Sequence, residues 1–125
     1  MEESNDNIKK TILVAEDVES NFLLLKALLG KTYNLLHAYN GSEAVEMFDN
    51  NQPDLILMDV KMPVMDGLEA TRIIRQKSTE IPIIALTAFA FDQDRIRVME
   101  AGCNDFLTKP LSPPLLKQTI ITYPI

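Results

Sequence analysis

One cysteine, one histidine and the lack of any long apolar run set the first limits on this chain. With Cys103 alone, no intrachain disulfide can form. No charged activator lies near it in sequence, so the thiol reads as a small apolar residue beside a turn. His37 has no acidic or sulfur neighbour to complete a ligand set and reads as a strand residue. No apolar run approaches the roughly 20 residues that span a bilayer. The opening residues, Met1-Glu2-Glu3-Ser4-Asn5-Asp6-Asn7, lack the basic start and apolar stretch of a secretory signal. A cytoplasmic location without membrane contact is therefore expected. Positive charge is scarce as well: 12 Lys and Arg stand against 18 Asp and Glu, a net charge of -6. Phosphate backbones select basic surfaces, which argues against nucleic acid as a direct partner.

What the sequence does contain is a pattern of endings. Four times an apolar run closes on a residue suited to holding metal or phosphate. Thr11-Ile12-Leu13-Val14-Ala15 leads into Glu16-Asp17, and Leu55-Ile56-Leu57-Met58 leads into Asp59. Ile81 to Leu86 leads into Thr87, and Asp105-Phe106-Leu107-Thr108 leads into Lys109-Pro110. Short apolar runs separated by helix-like segments read as buried parallel strands. In such sheets the carboxyl ends of the strands form the ligand crevice. Three carboxylates, a hydroxyl and an ammonium would then meet at one edge.

The intervening segments read as helices. One opens at Asp17-Val18-Glu19-Ser20, carries Phe22, Leu25, Leu28 and Leu29, and stops at Gly30. Tyr33 to Ala38 reads as an edge strand. Asn40-Gly41-Ser42-Glu43 is a capping pattern before the stripe Ala44, Val45, Met47 and Phe48. Asp66-Gly67-Leu68-Glu69 repeats that logic, with Leu68, Ile73 and Ile74 expected inside and Arg72, Arg75 and Lys77 outside. Asp92 is expected to cap the fourth helix, with Phe91 stapled onto Ile96 and Gly102 closing it. Ser112-Pro113 caps a short last helix over about 113–122. Strands four and five are expected over about 81–86 and 104–108. The order is β-α repeated five times. Helical crossovers force a parallel sheet, so the expected class is α/β, a doubly wound open sheet with helices on both faces. Residues 1–10 read as a flexible lead-in and 11–125 as the domain proper.

The crevice has a definite chemistry. Like charges ~4 Å apart at an effective dielectric near 20 repel by about 4 kcal/mol, so Glu16, Asp17 and Asp59 call for a cation. All-oxygen ligands favour Mg²⁺ or Mn²⁺ over Zn²⁺. A carboxylate such as Asp59 can attack phosphorus and form an acyl phosphate. The transferred group spreads its charge over equatorial oxygens, which a metal, the Lys109 ammonium and the Thr87 hydroxyl would each take up.

At these residues the chain resembles the receiver domains of two-component response regulators, most of all those attached to hybrid sensor histidine kinases. The matching text is Ile12 to Asp17, Asp59-Val60-Lys61-Met62-Pro63-Val64-Met65-Asp66-Gly67, Ala85-Leu86-Thr87-Ala88 and Asp105 to Pro110. The resemblance implies a five-stranded flavodoxin-like sheet of order 2-1-3-4-5, the order that chemotaxis receivers exemplify. It implies Asp59 as phosphoacceptor, fed from a phosphohistidine on a kinase or phosphotransfer domain. It implies metal ligation by Asp17, Asp59 and the backbone carbonyl of Lys61, with Glu16 acting mainly through metal-bound water. Thr87 would be the switch hydroxyl, Lys109 the phosphate-binding ammonium and Phe106 the switch aromatic, and Lys109-Pro110 would be a cis peptide. Phosphorylation would draw Thr87 inward and let Phe106 follow, reshaping the surface of the fourth helix, fifth strand and fifth helix as a population shift. Such a domain is a phosphoacceptor rather than an enzyme, expected as a monomer or weak dimer; within a hybrid protein the parent would be a histidine kinase. Lys61 and Phe89 flank the site and are expected to slow hydrolysis of the acyl phosphate. The short last helix, ending in Thr122-Tyr123-Pro124-Ile125, departs from the family pattern and suggests a trimmed or unusual terminus.

Three other readings compete. A metal-dependent phosphohydrolase with an Asp nucleophile would carry a second Asp two residues on, where this chain has Lys61. A flavin or nucleotide module would place a Gly- or hydroxyl-rich loop after strand one, where this chain has Glu16-Asp17-Val18-Glu19. A receiver used only as an interaction scaffold would have no need of Asp59, Thr87 and Lys109 together.

Overall fold

The computed structural model describes residues 9–88 and 92–125, with the side chain of Asp92 excluded. The lead-in expected over 1–10 falls mostly outside that span. So do Phe89, the Phe91 staple and the Asp92 cap.

Five parallel strands form one sheet: β1 (Thr11–Ala15), β2 (Asn34–Ala38), β3 (Leu55–Asp59), β4 (Ile83–Thr87) and β5 (Asp105–Thr108). Their spatial order is β2-β1-β3-β4-β5. Five helices connect and close them: α1 (Glu19–Leu29), α2 (Gly41–Asn51), α3 (Gly67–Lys77), α4 (Asp92–Ala101) and α5 (Pro113–Thr122). The central strands β3 and β4 are buried at every residue. That explains why they read as continuous apolar runs rather than alternating ones.

Alternation reappears in which core each side chain enters. Leu13, Ile56, Met58, Ile83 and Ala85 pack with Ala44, Leu68, Ile74 and Val98 from α2, α3 and α4. Ile12, Val14, Leu57, Ile84 and Leu86 pack with Phe22, Leu25, Leu29, Leu116 and Ile120 from α1 and α5. The sheet therefore separates two apolar layers, and its period of two assigns neighbours in sequence to opposite layers.

Capping follows the sequence at three helices. Asn40 accepts from the Glu43 amide at 2.8 Å, and Glu43 returns a carboxylate to the Tyr39 amide at 2.8 Å. Asp66 accepts from the Glu69 amide at 2.9 Å. Ser112 caps α5 with Pro113 in the first turn. At α1 the cap residue is Val18, which has no side-chain acceptor. Its amide donates to Glu16 Oε2 at 3.1 Å instead, so a site carboxylate takes over the capping role. α2 ends on Gln52 in the left-handed region (φ 47°), an uncommon conformation outside glycine.

Several local expectations are corrected. β4 begins at Ile83 and includes Thr87, two residues later at the start and one at the end than the apolar run suggested. Gly30 does stop α1, as expected, with ordinary right-handed backbone (φ -66°). Ile73 is half-buried rather than inside. Arg75 is not a solvated charge: Nε donates to Gly102 O at 2.8 Å, Nη1 to Ser78 O at 3.2 Å and Nη2 to Asn104 Oδ1 at 2.8 Å. It ties the end of α3 to the α4–β5 turn, a job that the guanidinium fork with its five donors can do. Cys103 is buried against Thr71, and burial pushes its thiol pKa up, which suits the inert role expected.

Candidate functional site

The sheet places its chemistry at one edge because all five strands point the same way. Glu16 and Asp17 follow β1, Asp59 ends β3, Thr87 ends β4 and Lys109 follows β5. Together with Lys61 they line one cleft of about 330 Å³. Each Glu16, Asp17 and Asp59 side chain offers an oxygen within 4.8 Å of the other two. Glu16 (1% exposed) and Asp59 (5%) are buried, whereas Asp17 is open to solvent. Lys109 Nζ reaches in between, 2.8 Å from Asp59 Oδ2 and 3.3 Å from Glu16 Oε1. Its own backbone is pinned by an amide bond to Thr87 O at 2.8 Å. The peptide from Lys109 to Pro110 is cis.

Two glycines permit this crowding. A Cβ on Gly67 would overlap the Asp59 carbonyl oxygen and come within 2.9 Å of Met58 Cγ. Gly67 instead donates its amide to Val60 O at 2.9 Å. A Cβ on Gly41 would run into the carbonyl oxygens of Met65 and Asp66, and the Gly41 amide donates to Met65 O at 2.9 Å. The N-termini of α2 and α3 thus clamp the loop after Asp59. Within that loop the Lys61 amide donates to Asp59 Oδ1 at 3.2 Å. Neither contact is marked in the sequence. The Asp-Gly and Asn-Gly pairs were visible as caps, but a tertiary backbone approach leaves no separate mark in sequence.

Lys109 bridges Glu16 and Asp59, and the exposed Asp17 converges on the same point. The donor set is all oxygen, and the carboxylates converge, which fits a hard divalent cation. Burial pulls the Lys109 pKa down, but the hydrogen bond and charge of Asp59, and then Glu16, outweigh it, so the ammonium titrates above an ordinary lysine. A raised folded-state pKa stabilises the fold fully below the unfolded value of 10.5. That contribution is lost as pH rises through the higher folded value. Tyr39, hydrogen-bonded to Glu19, and Tyr123, half-buried beside Asp105, are raised too and act in the same window. Lys109→Met separates the terms. From about pH 9 to 11.5, wild type is expected to lose more stability in urea melts than the variant; equal slopes would exclude a Lys109 contribution.

Phe106 is half-buried against the α2–α3–α4 layer, and the Arg95 guanidinium lies 5.1 Å from its ring centroid. His37 is no metal ligand in this arrangement. It stacks on Phe22 and contacts the backbone of Glu16.

This fold with this acidic edge defines a phosphoacceptor class, and the sequence agrees. The family model for the response regulator receiver domain matches residues 12–121, and the chain belongs to that family, the receiver domains of two-component phosphorelays. It is 37% identical over 117 residues to the polar-differentiation response regulator DivK of Brucella anthropi, covering 91% of this chain and 95% of that one. It is similar to the receiver domain of a sensor histidine kinase from Pseudomonas aeruginosa, crystallised with a magnesium ion coordinated in its active-site cleft. There the TM-score is 0.86 at 36% identity, over 93% of this chain and 98% of the other. It is also similar to a receiver from Saccharomyces cerevisiae, that of the response regulator Ssk1 crystallised with the histidine phosphotransfer protein Ypd1. The TM-score is 0.87 at 32% identity, over 92% and 88% of the two chains. Among the described residues no helix is long and apolar enough to cross a membrane.

Proposed function

We propose that Asp59 is the residue of this receiver that takes the phosphoryl group, and that the donor is a phosphohistidine on a kinase or phosphotransfer domain. The observation that carries this reading is the Lys109 ammonium 2.8 Å from Asp59 Oδ2, within a trio of convergent carboxylates. An Asp59 oxygen attacks phosphorus while the P–N bond to the donor imidazole breaks. The bonding pair leaves with the ring nitrogen, and Asp59 becomes an acyl phosphate. Lys109 meets the growing charge on one phosphoryl oxygen and Thr87 donates its hydroxyl to another. Glu16, held by Lys109 and the Val18 amide, keeps the floor of the cleft rigid.

Asp17, Asp59 and the Lys61 carbonyl are the groups that would hold a divalent cation, Mg²⁺ or Mn²⁺, with Glu16 behind them. When bound, that ion neutralises phosphoryl charge and offsets repulsion among the carboxylates. Thr87 then moves toward the phosphoryl group, and Phe106 turns into the space behind it. Phe106 lacks a hydroxyl, so its inward state needs no polar partner. The α4–β5–α5 surface changes with it, and the output is a change of partner rather than turnover of a substrate. The domain works in the cytoplasm as a monomer or weak dimer, contacts neither nucleic acid nor membrane directly, and serves a relay of the kind built around hybrid sensor kinases. The phosphorelay relatives and the acidic charge of the chain support this placement.

The test is incubation with acetyl phosphate and Mg²⁺, followed by intact mass and peptide mapping. One added phosphoryl on Asp59, absent when EDTA replaces Mg²⁺, is expected. An unmodified mass, or a phosphoryl mapped elsewhere, would reject the assignment.

A further inference from the structure

Glu16 lies one residue past β1, where its strand ladder runs out of partners. Its amide still donates to Ala38 O at 2.9 Å. In a parallel ladder the next rung would come from the amide of residue 40 to the Glu16 carbonyl. Asn40 has instead turned away to cap α2. The imidazole of His37 supplies the missing donor, with Nε2 2.8 Å from Glu16 O. A carbonyl can only accept, so Nε2 carries the proton. The ring is held on its faces by Phe22, stacked at 3.8 Å and 5°, and by Tyr39 at 4.0 Å. Tyr39 is tied in turn, its hydroxyl to Glu19 at 3.2 Å and its amide to Glu43 at 2.8 Å.

We infer that His37 is a positioning residue for the cation site, acting through the peptide that joins Glu16 to Asp17. This rests on the reading that Glu16, Asp17 and Asp59 serve a divalent cation. The Glu16 side chain has holders of its own in Lys109 and the Val18 amide. Asp17 is exposed, and the direction of its side chain depends on the plane of the peptide before it. Fixing that carbonyl from β2 fixes the plane, so Asp17 needs no ordering when the ion arrives. Partners one step behind a ligand set affinity in this way. The sequence shows only a lone histidine on an edge strand; the role follows from where the strands diverge.

Two substitutions separate the hydrogen bond from the stack. His37→Phe keeps a ring between Phe22 and Tyr39 but removes the donor. His37→Gln keeps an N–H at similar reach but removes the ring. The readout is Mg²⁺ alone, titrated into the full chain and followed by ¹⁵N NMR at the Asp17 and Lys61 amides, without phosphorylation. His37→Phe is expected to raise the Mg²⁺ Kd about tenfold, and His37→Gln to stay within about threefold of wild type. Should His37→Phe not fold, His37→Val, which lacks ring and donor but suits a strand, is expected to weaken Mg²⁺ as much. A donor-free variant that binds Mg²⁺ like wild type overturns the inference alone. So does a Gln variant weakened as much as the donor-free one. If wild type itself shows no Mg²⁺ response at these amides, the cation site has failed and the inference falls with it.

Discussion

Asp59→Asn is expected to take up no phosphoryl group at all from acetyl phosphate and Mg²⁺ while remaining folded. The amide is nearly the same shape, and its oxygen can still accept from Lys109, which also keeps Glu16 at 3.3 Å. What it loses is the charge that makes an oxygen a nucleophile. It also removes one of three carboxylates whose oxygens lie within 4.8 Å of one another, where like charges repel. The folded state therefore gains relief in exchange for a weaker bond to Lys109, and the melting temperature should stay within a few degrees of wild type. Affinity for Mg²⁺ should fall at least about tenfold, because a proposed ligand has been neutralised. Intact mass and a Mg²⁺ titration check both halves. A variant that still gains a phosphoryl would move the acceptor to another residue.

Gly67→Ala is expected to be among the most damaging single-methyl changes in the molecule. The added Cβ would overlap the Asp59 carbonyl oxygen and press on Met58 Cγ. Neither is the far end of a flexible chain that can swing aside. The backbone of β3 and the start of α3 must separate, which breaks the Gly67 amide bond to Val60. Overpacking of this kind costs about 3 kcal/mol, equivalent to a fall in Tm of roughly 12 °C for a domain of this size. The displaced residue is Asp59 itself, so phosphorylation should fail in step with stability. Thermal melts monitored by circular dichroism test this. A Gly67→Ala protein that melts within about 3 °C of wild type would show that the loop yields without strain.

Much of the architecture was readable from the chain because its signals are local. The apolar runs from Ile12, Leu55 and Ile81 are too short for helices, and the Asn40, Asp66 and Ser112 caps mark where helices begin. Parallel pairing then follows from the crossovers. The residues of the cleft were legible because each sits at the end of its own run. What escaped was tertiary. Arg75 looks like any basic residue in a helix's last turn, and only the nearby α4–β5 turn adds the acceptors Gly102 O and Asn104 Oδ1 to the local Ser78 carbonyl. Thr87 belongs to β4 because the strand is paired along its length with β5, a fact the apolar pattern cannot carry. His37 reads as an edge-strand residue until the Glu16 carbonyl is seen without a ladder partner.

Lys109 and Glu16 meet although 93 positions separate them along the chain. Four strand ends must be in register before a donor could find anything to react with. A nascent or half-assembled polypeptide therefore cannot carry the message, since it has the acidic residues but not their meeting place. Competence to signal is in this sense a certificate that the five-stranded sheet has assembled.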